Sequence, residues 1–195
     1  MLKTILFING YPLSGKDTFA KVFRQVCSEK AIRVVKISTV DLPKQALKVL
    51  GWDGEEKSDA VRSALHDIKM AWVKHMDGSF NYVRSMVETL NDTRDDHILL
   101  VDSREPVELA RFRVEFGGPL LQDITMHSNV KSGFNARTVF VDRKNSGRAS
   151  NAGDMNVELF NYDYIVNNID NPVDLAWVDN LEAEARRILA ATVRN

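Results

Sequence analysis

The stretch that most constrains this chain lies near its start: Ile5-Leu6-Phe7-Ile8-Asn9-Gly10-Tyr11-Pro12-Leu13-Ser14-Gly15-Lys16-Asp17-Thr18. The apolar run before Gly10 reads as a buried strand of a parallel sheet. Phe19, Val22, Phe23 and Val26 then recur at i, i+3, i+4 and i+7, the apolar face of a helix. Between them the spacing Gly10…Gly15-Lys16 fits the phosphate-binding pattern G-x-x-x-x-G-K. Glycines let the backbone curl so that successive N–H groups face an anion. The helix start adds unpaired donors and a positive dipole end. Lys16 supplies a cation for the β- and γ-phosphates. Gly10, Leu13, Ser14, Gly15, Lys16, Asp17 and Thr18 are therefore the candidate nucleotide contacts. A plain glycine turn with an exposed lysine is the alternative, and the strand–loop–helix order argues against it.

The pattern asks for Ser or Thr after the lysine, where a hydroxyl meets Mg²⁺; here Asp17 and then Thr18 follow. A carboxylate is a hard oxygen ligand, so Asp17 is assigned to Mg²⁺, directly or through water. Thr18 is left for an α- or β-phosphate or for capping the helix. The plainer reading of Asp17 is a favourable charge at a helix start.

With 195 residues, 44% of them hydrophobic and 27% charged, the chain has material for one globular domain. A net charge of −1 offers no overall basic field for long non-specific nucleic-acid binding. The single cysteine, Cys27, excludes an internal disulfide and a cysteine zinc cluster, and reads as a small buried side chain of the first helix. No apolar run is long enough to span a membrane, and Met1-Leu2-Lys3-Thr4 enters the first strand at once, so no membrane partner and a cytoplasmic location are expected.

Further strands are expected over Ile32–Ile37, His97–Asp102, Arg137–Asp142 and Tyr162–Asn167. Helices are expected over about 42–50, closed by Gly51, over 58–75, and from Ser79, as a cap, to about Leu90. Pro106 opens another helix, ended by Gly117-Gly118-Pro119, and Asp170 or Asn171 with Pro172 opens the last, to about Val193. The alternation implies an α/β fold of three layers, a five-stranded parallel sheet with helices on both faces. The expected organisation is one domain, 1–195, with its core over 1–40, 95–142 and 160–195, a helical insertion over 41–94 and a loop over 143–156. Residues 118–135 are hard to place and read as an addition.

Ligands of such sheets bind beyond the carboxyl ends of the strands. Asp102 ends an apolar strand there, placed to hold Mg²⁺ or its waters. Arg104 enters the same crevice and suits an anionic substrate group; the plainer reading is a surface arginine beside Asp102. Arg143, Lys144 and Arg148 sit among small residues in the 143–156 loop, which suits a cationic lid that excludes water. Asp154 is a weaker candidate to orient those arginines. Lys44, Lys57 and Arg62 fit an acceptor pocket or exposed helix charge equally well. His66, His75, His97 and His127 show no ligand spacing, and Trp52, Trp72, Phe80 and Tyr82 read as core rather than a stacking platform.

On these residues the chain resembles P-loop nucleoside monophosphate kinases, in particular those of bacteriophages acting on deoxynucleoside monophosphates. The matching pieces are Ser14-Gly15-Lys16-Asp17-Thr18, the segment Ser38 to Leu47, the pair Asp102…Arg104, and Asn161 to Asn168. The resemblance implies a helical acceptor-binding insertion and an arginine lid, with ATP and Mg²⁺ as co-substrates and a nucleotide acceptor. It implies that Lys16 stabilises the migrating phosphoryl group, Asp102 holds Mg²⁺ through water, Arg104 contacts the acceptor phosphate, and Arg143 and Arg148 act from the lid; beside it, the residues' own reading offers Asp17 for the metal and Asp41, Lys44 and Arg62 for the acceptor. The state implied is monomer or homodimer. An already ionised phosphate acceptor needs no general base. Animal phosphomevalonate kinases share the Ser-Gly-Lys-Asp start. Phage kinases that phosphorylate 5-hydroxymethyluracil in DNA are a further branch; they would need a carboxylate base, for which Asp41 or Asp102 is placed. A nucleotide-dependent switch without an acceptor is the remaining alternative.

Overall fold

The computed structural model describes residues 2–55, 58–117, 134–143, 157–168 and 176–193. Its strands are β1 (Leu2–Asn9), β2 (Arg33–Ser38), β3 (His97–Asp102), β4 (Asn135–Arg143) and β5 (Tyr164–Asn168). They form a five-stranded sheet of order β2-β3-β1-β4-β5, and every neighbouring pair is parallel. The helices are α1 (Lys16–Ser28), α2 (Asp41–Val49), α3 (Asp59–Met76), α4 (Gly78–Asn91), α5 (Pro106–Phe116) and α6 (Ala176–Val193). This is the three-layer α/β architecture that the alternation of strand and helix implies.

Each face of the sheet has its own core, because central strands without polar alternation must be covered twice. On one face Leu6, Ile8, Ile98, Leu100, Val139 and Val141 meet Phe19, Phe23 and Val26 of α1 and Leu181, Ala185 and Ile188 of α6. On the other, Ile5, Phe7, Leu99 and Val101 meet Phe80, Val83 and Val87 of α4 and Leu109, Phe112 and Phe116 of α5. The second core is built on stacked rings: Phe7 lies on Phe112 at 5.0 Å and 5°, and Phe80 on Phe116 at 5.6 Å. Cys27 is fully buried, and burial pushes its thiol up to about 12, which makes it inert.

Some element limits differ from the sequence reading. β4 starts two residues earlier than expected, at Asn135. β5 starts at Tyr164, because Asp163 turns aside to accept from the Thr138 amide at 2.8 Å and its hydroxyl at 2.7 Å. Asp77, at φ 51°, both closes α3 and opens α4, so Ser79 sits inside α4 and is no cap. Gly78 follows because the Trp72 indole lies where a Cβ would stand. The reading of residues 118–133, of the 144–156 loop and of the Asp170–Pro172 start lies outside the described residues.

Phe112→Ala removes the ring at the centre of the stack and should destabilise the protein by about 3–5 kcal/mol. A urea unfolding midpoint within error of wild type would contradict this packing.

Candidate active site

Strand register brings the candidate residues together. Asp102 stands beside Ile8 of β1 and Ser38 of β2, and Arg143 beside Asn168. The loop after β1 and the carboxyl ends of all five strands therefore share one edge of the sheet.

The loop is fixed from both sides. A Cβ on Gly10, at φ 152°, would overlap the Val141 carbonyl, and one on Gly15, at φ 94°, would overlap the Asn168 side chain. Asn168 Nδ2 donates to the Ser14 carbonyl at 2.9 Å, and the Ser14 amide donates to the Tyr11 carbonyl at 3.2 Å. Leu13 takes a left-handed φ of 63° and points to solvent. Below the loop, Asn9 Oδ1 accepts from the Gly10 amide at 2.7 Å. Asn9 Nδ2 donates to the Tyr162 hydroxyl at 2.8 Å and to the Arg104 carbonyl at 3.1 Å. The Tyr162 hydroxyl donates onward to the Val157 carbonyl at 2.8 Å, and burial raises its pKa. One side chain thus joins the loop to the segment after β3.

α1 begins at Lys16 on Gly15 with no side chain capping it, so Thr18 does not cap this helix and the first-turn amides lack intrahelical acceptors. Lys16 Nζ donates to the carbonyls of Gly10 at 2.6 Å and Tyr11 at 2.9 Å, which sets the cation beside the loop's first turn. Asp17 pairs with Lys36 of β2. That hydrogen bond, with the charges of Lys36, Lys16 and Lys44, holds the Asp17 carboxyl below the usual carboxylate range despite partial burial. Lys44 therefore stands within electrostatic reach of the helix start. Arg143 Nη1 donates to the Leu13 carbonyl at 3.4 Å, which puts the end of β4 over the loop. Arg148, Lys144, Asp154 and Lys57 lie outside the described residues.

Asp102 Oδ1 is buried with no hydrogen-bond partner among the described residues. Its backbone carbonyl is used twice, by the Thr39 amide at 3.0 Å and Ser38 Oγ at 3.3 Å. Buried carboxylate oxygens are satisfied in stable proteins, so an unpartnered one at the carboxyl end of a central strand fits a cation or its water. No group of three His, Cys, Asp or Glu side chains gathers as a metal cluster among the described residues. A cation here would rest on few protein ligands, as Mg²⁺ commonly does.

Toward the insertion, Asp41 Oδ2 accepts from the Ser38 amide at 2.7 Å, which ties α2 to the end of β2. Tyr82 lies close enough to Asp41 that burial, and then that charge, raise its pKa. Arg62 is exposed on α3 and Arg104 is exposed just before α5. Phe80 is core as expected, whereas Trp52 lines an open cleft of about 440 Å³ between α2 and α3. His97 is buried at the opposite end of β3, on the Asp95 carbonyl at 2.8 Å, far from this edge.

The sequence reading did not anticipate Asn168, Tyr162 or Lys36 as neighbours of the loop, nor a buried set formed by Lys69, Glu105 and Glu108. Lys69 pairs with Glu105 and with Glu108 at 3.0 Å. Burial, then the adjacent Glu108 carboxylate, pushes Glu105 up to about 7. The signal for Lys69 was present: it falls four residues after Leu65 and three before Trp72, on the apolar face of α3.

No protein-family model and no curated protein matches the chain. Among solved structures it is similar to a mutant of the Mycobacterium tuberculosis APS kinase CysC, at 17% identity over 96% of this chain and 95% of that one, TM-score 0.46. It is similar to TT1252 from Thermus thermophilus, at 15% identity over 98% of both chains, TM-score 0.48. It is also similar to shikimate kinase from Bacteroides thetaiotaomicron, at 12% identity over 96% of this chain and 97% of that one, TM-score 0.41. Scores this low carry no functional argument; the site's own geometry does.

Glu105 sets a pH dependence. Its native carboxyl holds a proton up to about 7, against 4.5 ordinarily. The stability this contributes is complete below the lower value and is lost as pH rises through the upper one. Urea unfolding should therefore show stability falling from about pH 5 to about pH 8 by on the order of 1–3 kcal/mol. Glu105→Gln should flatten that slope; an equal slope in the variant would assign it elsewhere.

Proposed function

We propose that the chain is a phosphotransferase that moves the γ-phosphoryl group of Mg-ATP to the phosphate of a nucleoside or deoxynucleoside monophosphate. The observation that carries the reading is the unpartnered Asp102 Oδ1 beside a glycine loop that opens an uncapped helix. That pairing suits a triphosphate with its cation and has no evident use in holding the fold together.

In this reading the loop amides and the start of α1 bind the phosphates, and Lys16 follows the charge as it moves to the leaving β-phosphate oxygen. Asp102, with Asp17 from α1, would hold Mg²⁺, which when bound neutralises phosphate charge. Thr18 would meet an α- or β-phosphate. An oxygen of the acceptor phosphate forms the new P–O bond as the bond to the β-phosphate oxygen breaks, leaving ADP. Arg104 would grip the acceptor phosphate, with Asp41, Lys44 and Arg62 along the pocket made by α2–α4. Arg143 and Arg148 would close from the lid.

Two observations favour a free monophosphate over a base in DNA. Asp41, one of the carboxylates placed to act as a base, already holds the Ser38 amide. Arg111 and Arg113 of α5, basic residues that a duplex-binding face could use, are engaged within the protein: Arg111 with Asp77 at 2.5 Å and Arg113 with Asp163 at 3.2 Å. No helix among the described residues is long and apolar enough to cross a membrane.

The test is ADP release from Mg-ATP, alone and with dAMP, dCMP, dGMP, dTMP or an oligonucleotide carrying 5-hydroxymethyluracil. Stimulation by one or more monophosphates is expected. Stimulation by the oligonucleotide alone, or a slow rate indifferent to every acceptor, would overturn the reading. Lys16→Ala should lower transfer by at least about 100-fold; an unchanged rate would remove the loop from the site.

A further inference from the structure

Helix α3 has one buried residue, and it is a lysine. Lys69 is 3% exposed, while Val61, Leu65, Ile68 and Trp72 are only half-buried. The buried attachment of this helix is therefore ionic rather than apolar. Lys69 Nζ pairs with Glu105, the N-cap residue of α5, and donates to Glu108 Oε2 in its first turn at 3.0 Å. Ser103 Oγ donates to the same Glu108 oxygen at 2.9 Å.

These contacts fall on the segment that follows Asp102, the last residue of β3, and carries Arg104. Asp102 is held by its carbonyl, through the Thr39 amide and Ser38. Ser103 is held by its hydroxyl on Glu108 and by its amide on the Ile8 carbonyl at 3.2 Å. Arg104 is held by its carbonyl on Asn9 at 3.1 Å, and Glu105 by Lys69. Every residue from 102 to 105 is pinned, and the last pin comes from the insertion. Burying an ammonium and two carboxylates is a poor way to gain stability, since apolar side chains of similar volume hold helices as well or better. What such a set supplies is one defined arrangement of the parts it joins.

We propose that Lys69 is a positioning residue: by clamping α3 to Glu105 and Glu108 it fixes the acceptor pocket's distance from Asp102 and sets the backbone from which Arg104 reaches the acceptor. This rests on the phosphotransferase reading. The clamp's own contacts end at Glu105 and Glu108, whereas Gly10–Lys16 is tied to the end of β5 through Asn168, so the effect falls on acceptor binding rather than on the nucleotide loop.

The test compares wild type with Lys69→Met and with Lys69→Met/Glu105→Gln. The double variant removes both partners of the Lys69–Glu105 contact and leaves Glu108 with its Ser103 hydroxyl, so it guards against a variant that simply fails to fold. With Mg-ATP and whichever of dAMP, dCMP, dGMP and dTMP best stimulates wild type, both variants should raise the acceptor KM at least about tenfold. The KM for ATP should stay within about twofold. Hydrogen–deuterium exchange should accelerate in α3 and at residues 103–105 and stay unchanged over Gly10–Lys16. Unchanged acceptor KM with unchanged exchange would overturn the clamp, as would equal rises in both KM values with faster exchange throughout the chain. If wild type transfers to none of these acceptors, the functional reading fails, and exchange alone decides whether the clamp exists.

Discussion

Gly10 lies against the carbonyl of Val141, and Gly15 lies against the side chain of Asn168. The space those two missing side chains leave is what lets the loop after β1 sit down on the ends of β4 and β5. With φ of 152° and 94°, neither position suits another residue. The rest of the site hangs from this close approach. Asn9 accepts from the amide of Gly10, its neighbour in the chain, and with its other side-chain atom reaches both Tyr162 and the Arg104 carbonyl. Asn9 thus bonds both the phosphate-type loop and the segment after β3.

Much of this was legible from residue types. Strand–glycine–helix at Ile5–Val26 specified β1, the loop and α1, because each piece carries its own local rule. β3 was found from His97 to Asp102, since an apolar run that stops at a carboxylate marks both a buried strand and its carboxyl end. What escaped is what depends on partners distant in sequence. Asn168 reads as a polar residue after an apolar strand until the sheet order brings β5's end to the loop. Tyr162 and Asp163 read as strand because they run straight into Tyr164-Ile165-Val166; tertiary bonds to Asn9 and Thr138 take them out. Lys36 alternates outward on an edge strand, and only the packing of α1 makes it a partner of Asp17.

The two lobes of the crevice are held by different physics. The glycine loop's side stands on two apolar cores, with rings stacked beneath β1. On α3 the apolar residues are only half-buried, and the buried contact is one ammonium between two carboxyls. A stacked core tolerates little displacement, because its contacts are many and short-ranged. An ionic contact holds one geometry strongly but loses it when either charge is lost. Under the proposed phosphotransferase reading, that asymmetry would suit a rigid nucleotide site and an acceptor side that admits and releases a second substrate.

The central claim is that Asp102 and the loop form one site for a triphosphate and its divalent cation. Calorimetric titration of ATP, with and without Mg²⁺, into wild type and Asp102→Asn tests it most directly. The account requires that Mg²⁺ tighten ATP binding to wild type by about tenfold or more, and that the variant lose most of that gain while still binding free ATP. An equal Mg²⁺ effect in both proteins, or no ATP binding to wild type, would contradict it.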